Sequence, residues 1–514
     1  MRALPIAPVV LPVVSGPDCG YSQWLVIFRG LSMRQLLALI LAAGLAAINP
    51  TPGDAQQPAS PAPQAPAQAS ASPEFRAELD RVFSAAMASD YAWQQLRHLT
   101  NNIGPRPAGS PQAQFAAEYV AAELRKLGLE VTLEKVKVPH WVRGEESAAL
   151  TEYPGQAPGT TQKIVLTALG GSVGTPAEGI TADVVVVRNL AELASLGRAG
   201  VAGKIVLYNV PFDKRMAAQN QAGPAYGEVV AYRVGGAKAA EGLGAVAALV
   251  RSAGGADYRI PHTGEMSDST IPAAAVTAED AELIADLASQ GRVRMRLLLT
   301  CKSLPEVESA NVIADLKGSE HPEQIVIVSG HLDSWDLGTG AIDDGAGVAI
   351  AMGAAAVMHQ LGLRPRRTLR VIAWMDEEFR SSGSRAYATG HLGEFPNHSA
   401  ALESDFGAGH PLGFYVCAAS QAPDLLEPVQ DALRPIGARL LEPVDFSPGA
   451  DIEPLHAARV PTFAPIQDGR TYFNYHHTAA DTLDKVDPQL LKENVAAVAV
   501  LATALTQMPE PLPR

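Results

Sequence analysis

The sequence predicts an α/β protein whose main layer is interrupted by a β-rich insert. A helical pattern followed by a strand pattern opens the chain after residue 74, and buried strands alternate with an Ala-rich helix from residue 324 onwards. Between these parts, over 150–305, short strand patterns follow one another and no cluster of catalytic residue types occurs. The 514 residues, 47% of them hydrophobic and 18% charged, provide for about two to four domains with large cores.

Periodicity places the elements along the chain. A helix is predicted over 74–99 because Leu79, Phe83, Met87 and Tyr91 recur four residues apart. The main layer is further predicted to contain helices over 112–127 and 347–361 and strands over 129–138, 325–328 and 369–374. The insert is predicted to contain strands over 184–187, 204–208 and 271–276, a helix followed by a strand over 235–250, and a helix over 279–287. Because ligands bind beyond the carboxyl ends of strands in open α/β sheets, we expect the functional site after residues 328 and 374.

The N-terminal region has the build of a secretory signal. Met33 and Arg34 precede about a dozen apolar residues, a run too short for a membrane span. We therefore predict a signal region over 1–55, with translation starting at Met33, and a Pro/Ala/Gln-rich linker over 56–73. This predicts a periplasmic or secreted protein with no membrane span after cleavage; an uncleaved membrane anchor is the alternative.

Charge and cysteine content narrow the function classes. The net charge of −14 disfavours a nucleic-acid binder, which would normally present a basic face. Three cysteines are too few for a disulfide framework or a thiolate zinc site, so any metal must be held by His and carboxylate groups. Export would permit a disulfide between Cys301 and Cys417, and the sequence leaves that pairing open.

Imidazoles and carboxylates cluster where the predicted strands of the main layer end. In chain order these residues are His331, Asp333, Asp343, Asp344, Glu377, Glu378, Asp405, His476, His477 and Asp481. Acidic side chains gathered behind apolar strands would repel one another without a cation. Imidazole nitrogen and carboxylate oxygen are the ligands that suit Zn²⁺ where thiolate is absent. The pattern therefore predicts a zinc site built from strand ends.

These segments resemble the co-catalytic di-zinc aminopeptidase/glutamate carboxypeptidase family. The turn over 103–110 and the segment 141–145 carry the same resemblance. It implies a three-layer α/β/α peptidase domain with a mixed central sheet over 74–149 and 306–510, interrupted by a protease-associated insert over 150–305. It also implies two Zn²⁺ ions: His331 and Asp405 hold one, Glu378 and His477 hold the other, Asp343 bridges both, and Glu377 is the general base.

Three residues near the implied ligands need separate interpretation. Asp333 follows His331 by two residues and is placed to orient an imidazole. Glu377 and Glu378 are adjacent at a strand end, so their side chains are expected to face opposite sides, one toward metal and one toward water. Many relatives have Tyr before the last histidine ligand, where its hydroxyl donates to the oxyanion. Here that position is His476, which either takes the donor role or only packs near the site.

The expected function is zinc-dependent exopeptidase activity on dipeptides or short peptides with free termini. A metal-bridged water would attack the peptide bond and Glu377 would accept its proton. A zinc aminopeptidase acting on longer peptide N-termini is one alternative, and a non-catalytic receptor-like binding protein on the same fold is another. All five ligand positions and the base are filled, which favours an enzyme. By analogy, the insert either covers the mouth of the active site or forms a homodimer contact.

Overall fold

The computed structural model describes residues 72–514. The predicted signal region, the start at Met33, the anchor alternative, Cys19 and the predicted linker up to residue 71 lie outside the described residues. Across the described range, the strands form two mixed eight-stranded sheets.

The strands are numbered in chain order. They are β1 (Glu130–Val142), β2 (Glu146–Glu152), β3 (Gln162–Ile164), β4 (Leu166–Ala168), β5 (Ile180–Val187), β6 (Ile205–Tyr208), β7 (Ala247–Arg251), β8 (Ala273–Val276), β9 (Arg294–Leu299), β10 (Lys302–Leu316), β11 (His321–His331), β12 (Arg367–Trp374), β13 (His398–Glu403), β14 (Pro411–Cys417), β15 (Leu440–Pro443) and β16 (Thr462–Gln467).

The α-helices are numbered in the same way. They are α1 (Pro73–Ala88), α2 (Tyr91–His98), α3 (Pro111–Lys126), α4 (Leu190–Val201), α5 (Lys214–Ala218), α6 (Ala222–Gly242), α7 (Ala278–Gln290), α8 (Ala346–Gln360), α9 (Glu377–Arg380), α10 (Ser382–Gly390), α11 (Ala422–Leu425), α12 (Glu427–Ala432), α13 (Glu453–Ala457) and α14 (Pro488–Gln507).

The first sheet is the centre of three layers, as predicted. Its strand order is β1-β10-β12-β11-β13-β16-β14-β15, with parallel pairing of β11 to both β12 and β13 and antiparallel pairing at β1-β10 and β10-β12. Val326 and Val328 face a core shared with α8 and α14, whereas Ile325 and Ile327 face a second core with Trp374. Residues 325–328 are apolar at every position because both faces of the sheet are covered there.

The second sheet occupies residues 146–299, with strand order β3-β2-β9-β5-β6-β7-β8-β4. Parallel pairs β5-β6, β6-β7 and β7-β8 run through its middle. Apolar cores lie on both faces of this sheet, one around Leu207 and Leu249 and the other around Tyr208 and Val250. Helices α4 and α5, which periodicity did not predict, belong to this part. Its identity as a protease-associated domain stays a prediction.

The single helix predicted over 74–99 is wrong in one respect. The helix divides into α1 and α2, because Ser89 adopts an extended conformation and its hydroxyl accepts a hydrogen bond from the N–H of Tyr91. Serine competes with the helix for backbone hydrogen bonds in this way. The apolar spacing continues across the break, so periodicity alone does not reveal it.

Two further features of the described residues bear on the sequence predictions. The stretch Ala341–Gln360 is long and apolar enough for a membrane span, but it is entirely buried inside the fold as part of the core. Cys301 and Cys417 are both free. The Cys301 thiol donates to the Ser172 carbonyl, and the Cys417 thiol lies 3.4 Å from Nδ1 of His456. The disulfide that the sequence left open is therefore not formed.

Candidate metal centre

The predicted ligands converge at the carboxyl ends of three neighbouring strands. His331 is the last residue of β11 and lies in register with Trp374, the last residue of β12. Asp405 follows the end of β13 by two residues. Glu378 lies on α9 directly after β12, and Asp343 lies on the turn that precedes α8. This is the edge at which a parallel α/β sheet binds its ligands.

The Asp343 carboxylate lies between two groups of ligand atoms. Its Oδ1 is 3.2 Å from Nε2 of His331, which is also 3.5 Å from Oδ1 of Asp405. Its Oδ2 is 3.1 Å from Nε2 of His477, which is also 2.9 Å from Oε2 of Glu378. Each group of three has its ligand atoms close enough to hold one metal ion. The structure thus brings all five sequence-predicted ligands together, with Asp343 common to both groups.

Unpaired carboxylate oxygens test whether these residues fit a metal. Oδ2 of Asp343, Oε1 of Glu378 and Oδ1 of Asp405 are buried and have no hydrogen-bond partner. A buried carboxylate without compensation is strongly unfavourable, and a bound cation removes that cost. The donor set of two imidazoles and three carboxylates is the one that Zn²⁺ accepts without thiolate. The residues therefore fit a pair of divalent cations.

The pKa values of the carboxyl groups diverge within this small volume. Burial would raise the pKa of Asp343, but His476, His331 and His477 outweigh burial and hold it well below the usual range. Burial raises the pKa of Glu378 to about 7, against the opposing effect of His477. Opposite shifts in adjacent carboxyl groups are typical of sites that bind metals or move protons.

The two adjacent glutamates sit on a helical turn, and not at alternating positions of a strand as predicted. Asp376 has a left-handed backbone (φ 71°), which ends β12 sharply and starts α9 with Glu377 and Glu378. Glu378 turns toward His477, while Glu377 is half-buried and belongs to neither group of ligands. Burial raises the pKa of Glu377 well above its usual range, and the Asp405 and Glu378 carboxylates add to that effect.

Asp333 supports this turn, and its role differs from the predicted one. Its carboxylate is fully buried and accepts hydrogen bonds from the N–H groups of Asp376, Glu377 and Glu378 at 2.8, 3.1 and 3.3 Å. The His331 ring is oriented instead by the Asp333 main-chain oxygen, 3.0 Å from Nδ1, whereas the carboxylate is 3.8 Å away. Asp333 therefore contacts the His331 imidazole as predicted, but through its main-chain oxygen and not through its carboxylate.

Other buried polar groups hold the loops that carry the ligands. Asp344 accepts from the N–H groups of His331 (3.0 Å) and Gly347 (2.9 Å). Asp481 accepts from the N–H groups of residues 341 and 342 at 2.8 and 2.7 Å. Arg106, from the turn that carried part of the resemblance, is fully buried and donates to main-chain oxygens of residues 104, 332, 339 and 340. These bonds fix the chain on both sides of Asp343.

His476 lies beside the ligands, and a second histidine that sequence reasoning missed lies behind it. The His476 ring stacks on the His477 ring with centroids 3.6 Å apart, and its Nε2 is 3.4 Å from Oδ2 of Asp343. His262 places its Nε2 3.0 Å from Nδ1 of His476. It comes from the second-sheet part of the chain, where no cluster was predicted. An isolated histidine in a Gly-rich loop carries no local signal of this contact.

Two further buried carboxylates that were also missed, those of Glu403 and Asp451, lie close enough to Asp405 to interact with it electrostatically. Oε2 of Glu403 accepts from the N–H groups of Asp451 (2.9 Å) and Ile452 (3.1 Å), and both oxygens of Asp451 are buried without a partner. Glu403 lies two residues before Asp405, and this proximity is the only feature of the local sequence that could have pointed to it.

Comparison with known proteins agrees with this geometry. Residues 311–502 match the model of peptidase family M28. Carboxypeptidase Q from Bos taurus is 38% identical to this chain over 433 residues, which cover 83% of this chain and 88% of that protein. The chain belongs to peptidase family M28. This M28 chain is therefore a metallo-exopeptidase, and the family expected from its motifs is confirmed.

Solved structures show the same architecture. The crystal structure of a peptidase M28 precursor from Shewanella amazonensis SB2B superposes with a TM-score of 0.80 at 36% identity, covering 86% of this chain and 98% of that one. A zinc aminopeptidase from Bacillus subtilis shares the fold with a TM-score of 0.59 at 21% identity, covering 82% and 96% of the two chains. The predicted α/β fold of this M28 peptidase is confirmed.

Proposed function

We propose that this chain is an exported di-zinc exopeptidase that hydrolyses dipeptides or short peptides with free termini. One observation carries the proposal: the Asp343 carboxylate lies between His331 and His477, with contacts of 3.2 and 3.1 Å from its two oxygens. A carboxylate shared in this way suits a pair of metal ions that act on one substrate.

Each ligand has an assigned place in the proposal. His331 and Asp405 hold one zinc, Glu378 and His477 hold the other, and Asp343 is common to both. Bound zinc supplies Lewis acidity for the scissile carbonyl and lowers the pKa of a water molecule. Buried carboxylate oxygens without hydrogen-bond partners support this assignment, because a bound cation would compensate them.

Glu377 is the proposed general base. It lies next to the ligand Glu378 but joins neither group, so its carboxylate is left to accept a proton from water and return it to the leaving amine. Burial keeps its pKa high, which favours a group that must hold the proton during turnover. His476 is the proposed oxyanion donor, since its Nε2 lies 3.4 Å from Oδ2 of Asp343 at the edge of the same site.

The preference for a free C-terminus is supported by the relatives named carboxypeptidase Q. Aminopeptidase YwaD of Bacillus subtilis, 28% identical over 313 residues, supports the alternative of an aminopeptidase acting on longer peptides. Export is proposed from the apolar run after Met33. The alternative of a non-catalytic, receptor-like binding protein is disfavoured because all five ligand positions and the base are filled.

The proposal assigns 150–305 to a protease-associated insert that limits substrate length at the mouth of the site. Arg143 supports such closure: it donates to both oxygens of Asp336, on the loop after β11, at 2.8 and 2.6 Å, and to Ala168 O in the second sheet. If the insert instead forms a contact between two copies, the full chain will sediment as a homodimer. Comparing hydrolysis of dipeptides and tetrapeptides separates the two roles.

Hydrolysis of one dipeptide in three forms tests the function. The purified chain is incubated with the free, N-acetylated and C-amidated dipeptide, with and without a chelator, and released amino acids are quantified. We expect release from the free dipeptide, loss with chelator and recovery with zinc. Release from the C-amidated form indicates the aminopeptidase alternative.

Glu377→Gln provides the matched control. It should retain two zinc ions per chain by metal analysis and lose at least about 1,000-fold in kcat, because the amide cannot accept the proton. A zinc-loaded wild-type chain that releases nothing from any form contradicts the proposal and favours the receptor-like protein.

A further inference from the structure

A segment from the second-sheet part of the chain contacts the loop that carries His476 and His477. The N–H of Thr263 donates to the main-chain oxygen of His477 at 2.9 Å, and the N–H of Gly255 donates to that of Phe473 at 2.9 Å. The Thr263 oxygen lies 3.3 Å from Nδ1 of His477. Residues 255–263 therefore hold both the backbone and a ligand ring of this loop.

His262 is the side chain of this segment that points into the site. It is completely buried, and its backbone N–H is fixed by Ser252 Oγ at 3.0 Å. Its Nε2 lies 3.0 Å from Nδ1 of His476, and its own Nδ1 is buried without a hydrogen-bond partner. Rings of Tyr226, His476 and His477 surround it, with centroids 5.2 to 5.8 Å away. The crowding leaves the imidazole little freedom to find another partner.

The position of the protons in this pair follows from the neighbours at each end. A hydrogen bond between two neutral imidazoles needs one N–H and one lone pair. If His262 donates from Nε2, the His476 proton lies on Nε2, which faces the negatively charged Asp343 carboxylate at 3.4 Å. The unpartnered Nδ1 of His262 is then an acceptor. In the opposite arrangement His262 would bury an unpaired N–H and His476 would direct a lone pair at a carboxylate, so both ends favour the first arrangement.

We propose that His262 is a positioning residue that fixes the His476 tautomer, so that His476 presents an Nε2–H donor to the reacting oxygen of the substrate. This inference rests on the proposed peptidase function and on the donor role of His476. It makes the second-sheet part of the chain a component of the catalytic site. His262 itself touches neither substrate nor the five proposed ligand side chains through a hydrogen bond.

Two substitutions separate donation from packing. His262→Phe keeps the ring volume and removes the donor, whereas His262→Gln keeps an amide N–H close to the position of Nε2. His398→Phe is the matched control, because His398 is also fully buried but bonds Tyr387 Oη at 2.7 Å, away from the ligands. Each zinc-loaded variant is compared in kcat, KM and metal content with the free dipeptide as substrate.

We expect His262→Phe to lower kcat about 10- to 100-fold with KM within about twofold and zinc content unchanged, and His262→Gln to recover most of the loss. His398→Phe should keep wild-type kinetics. In a His476→Ala background, His262→Phe should have no further effect, because the two residues act as one unit. Histidine ¹⁵N spectra of the metal-free chain should show His476 protonated at Nε2, and this signal should change in His262→Phe.

Defined outcomes overturn the inference. Wild-type kcat in His262→Phe, or additive losses with His476→Ala, shows that His262 does not act through His476. Loss of one metal equivalent in His262→Phe shows that the three imidazoles of His262, His476 and His477 bind a metal instead. Failure of the peptidase proposal itself is distinguishable, since the wild-type chain would then be inactive while the ¹⁵N spectrum still reports the tautomer.

Discussion

Replacing Asp333 with Asn removes one acceptor from the turn that carries the proposed base and a proposed ligand. Oδ1 of Asp333 accepts from the N–H groups of Asp376 and Glu377, and Oδ2 accepts from the N–H of Glu378. The amide of Asn retains one oxygen, so its NH₂ group must face the N–H of Glu378. Two donors then oppose each other in a site that is 0% exposed.

The magnitude follows from these three bonds. One hydrogen bond to a charged group is worth about 1.5–3 kcal/mol, and a buried donor left unpaired costs about 1–3 kcal/mol. Burial raises the pKa of Asp333, so removing its charge returns part of that cost. We expect a net loss of about 2 kcal/mol in the free energy of unfolding, and kcat/KM lower by about 10- to 100-fold because Glu377 and Glu378 lose their common support.

Urea denaturation and dipeptide hydrolysis measure the two effects. Asp487→Asn is the matched control: Asp487 is exposed at the N-terminus of α14 and accepts from the N–H groups of Gln489 and Leu490, and Asn caps a helix equally well. Its stability and kinetics should stay at wild-type values. If Asp333→Asn unfolds within about 0.5 kcal/mol of wild type, the carboxylate does not support the turn and the reasoning is refuted.

Two further perturbations test packing and charge outside the proposed ligands. Gly347→Ala would place Cβ 1.8 Å from Ser404 O, so it should cost about 3 kcal/mol or more, whereas Gly393→Ala, with open space around it, should be neutral by the same denaturation assay. The Glu134 carboxylate lies 2.9 Å from Nε2 of His391 and raises the pKa of His391. Burial would raise the pKa of Glu134, but its hydrogen bonds and nearby charges, with His391 foremost, together outweigh burial, so the pKa of Glu134 is lowered. The pair therefore stabilises the fold above the ordinary pKa of Glu and below that of His, and loses this effect as pH rises through the raised pKa of His391. His391→Gln should cost about 1 kcal/mol near pH 5.5 and much less near pH 9.5, and equal losses at both pH values would contradict the pairing.

Sequence patterns sufficed for the elements that bury apolar faces. The middle of β11, residues 325–328, and the end of β12, residues 371–374, are apolar at every position, because cores cover both faces of the sheet there. That pattern is visible without coordinates. The ligand set was implied by the resemblance of the motifs to a di-zinc peptidase family. The parallel pairing of β11 with β12 and β13 explains why motifs so far apart meet.

Local backbone geometry and long-range contacts were not accessible in the same way. The left-handed backbone of Asp376 starts a helical turn at Glu377. Because Asp376 is not a glycine, the sequence gives no indication of this conformation. His262 meets His476 across 214 positions of sequence, and nothing around either residue indicates the pairing. Asp333 shows the intermediate case, since proximity to His331 was predictable but the choice between its carboxylate and its main-chain oxygen depends on where three N–H groups point.

The wide spacing of the site along the chain has a consequence for the time at which hydrolysis can begin. Asp343, His331 and His477 meet only when strands from the middle and the end of the described chain are paired, and residues 255–263 must also be seated against the last loop. An unfolded or half-finished polypeptide therefore has the residues of a peptidase without its reactivity. The wide spacing of these residues therefore keeps the chain inactive until the elements that carry them have assembled.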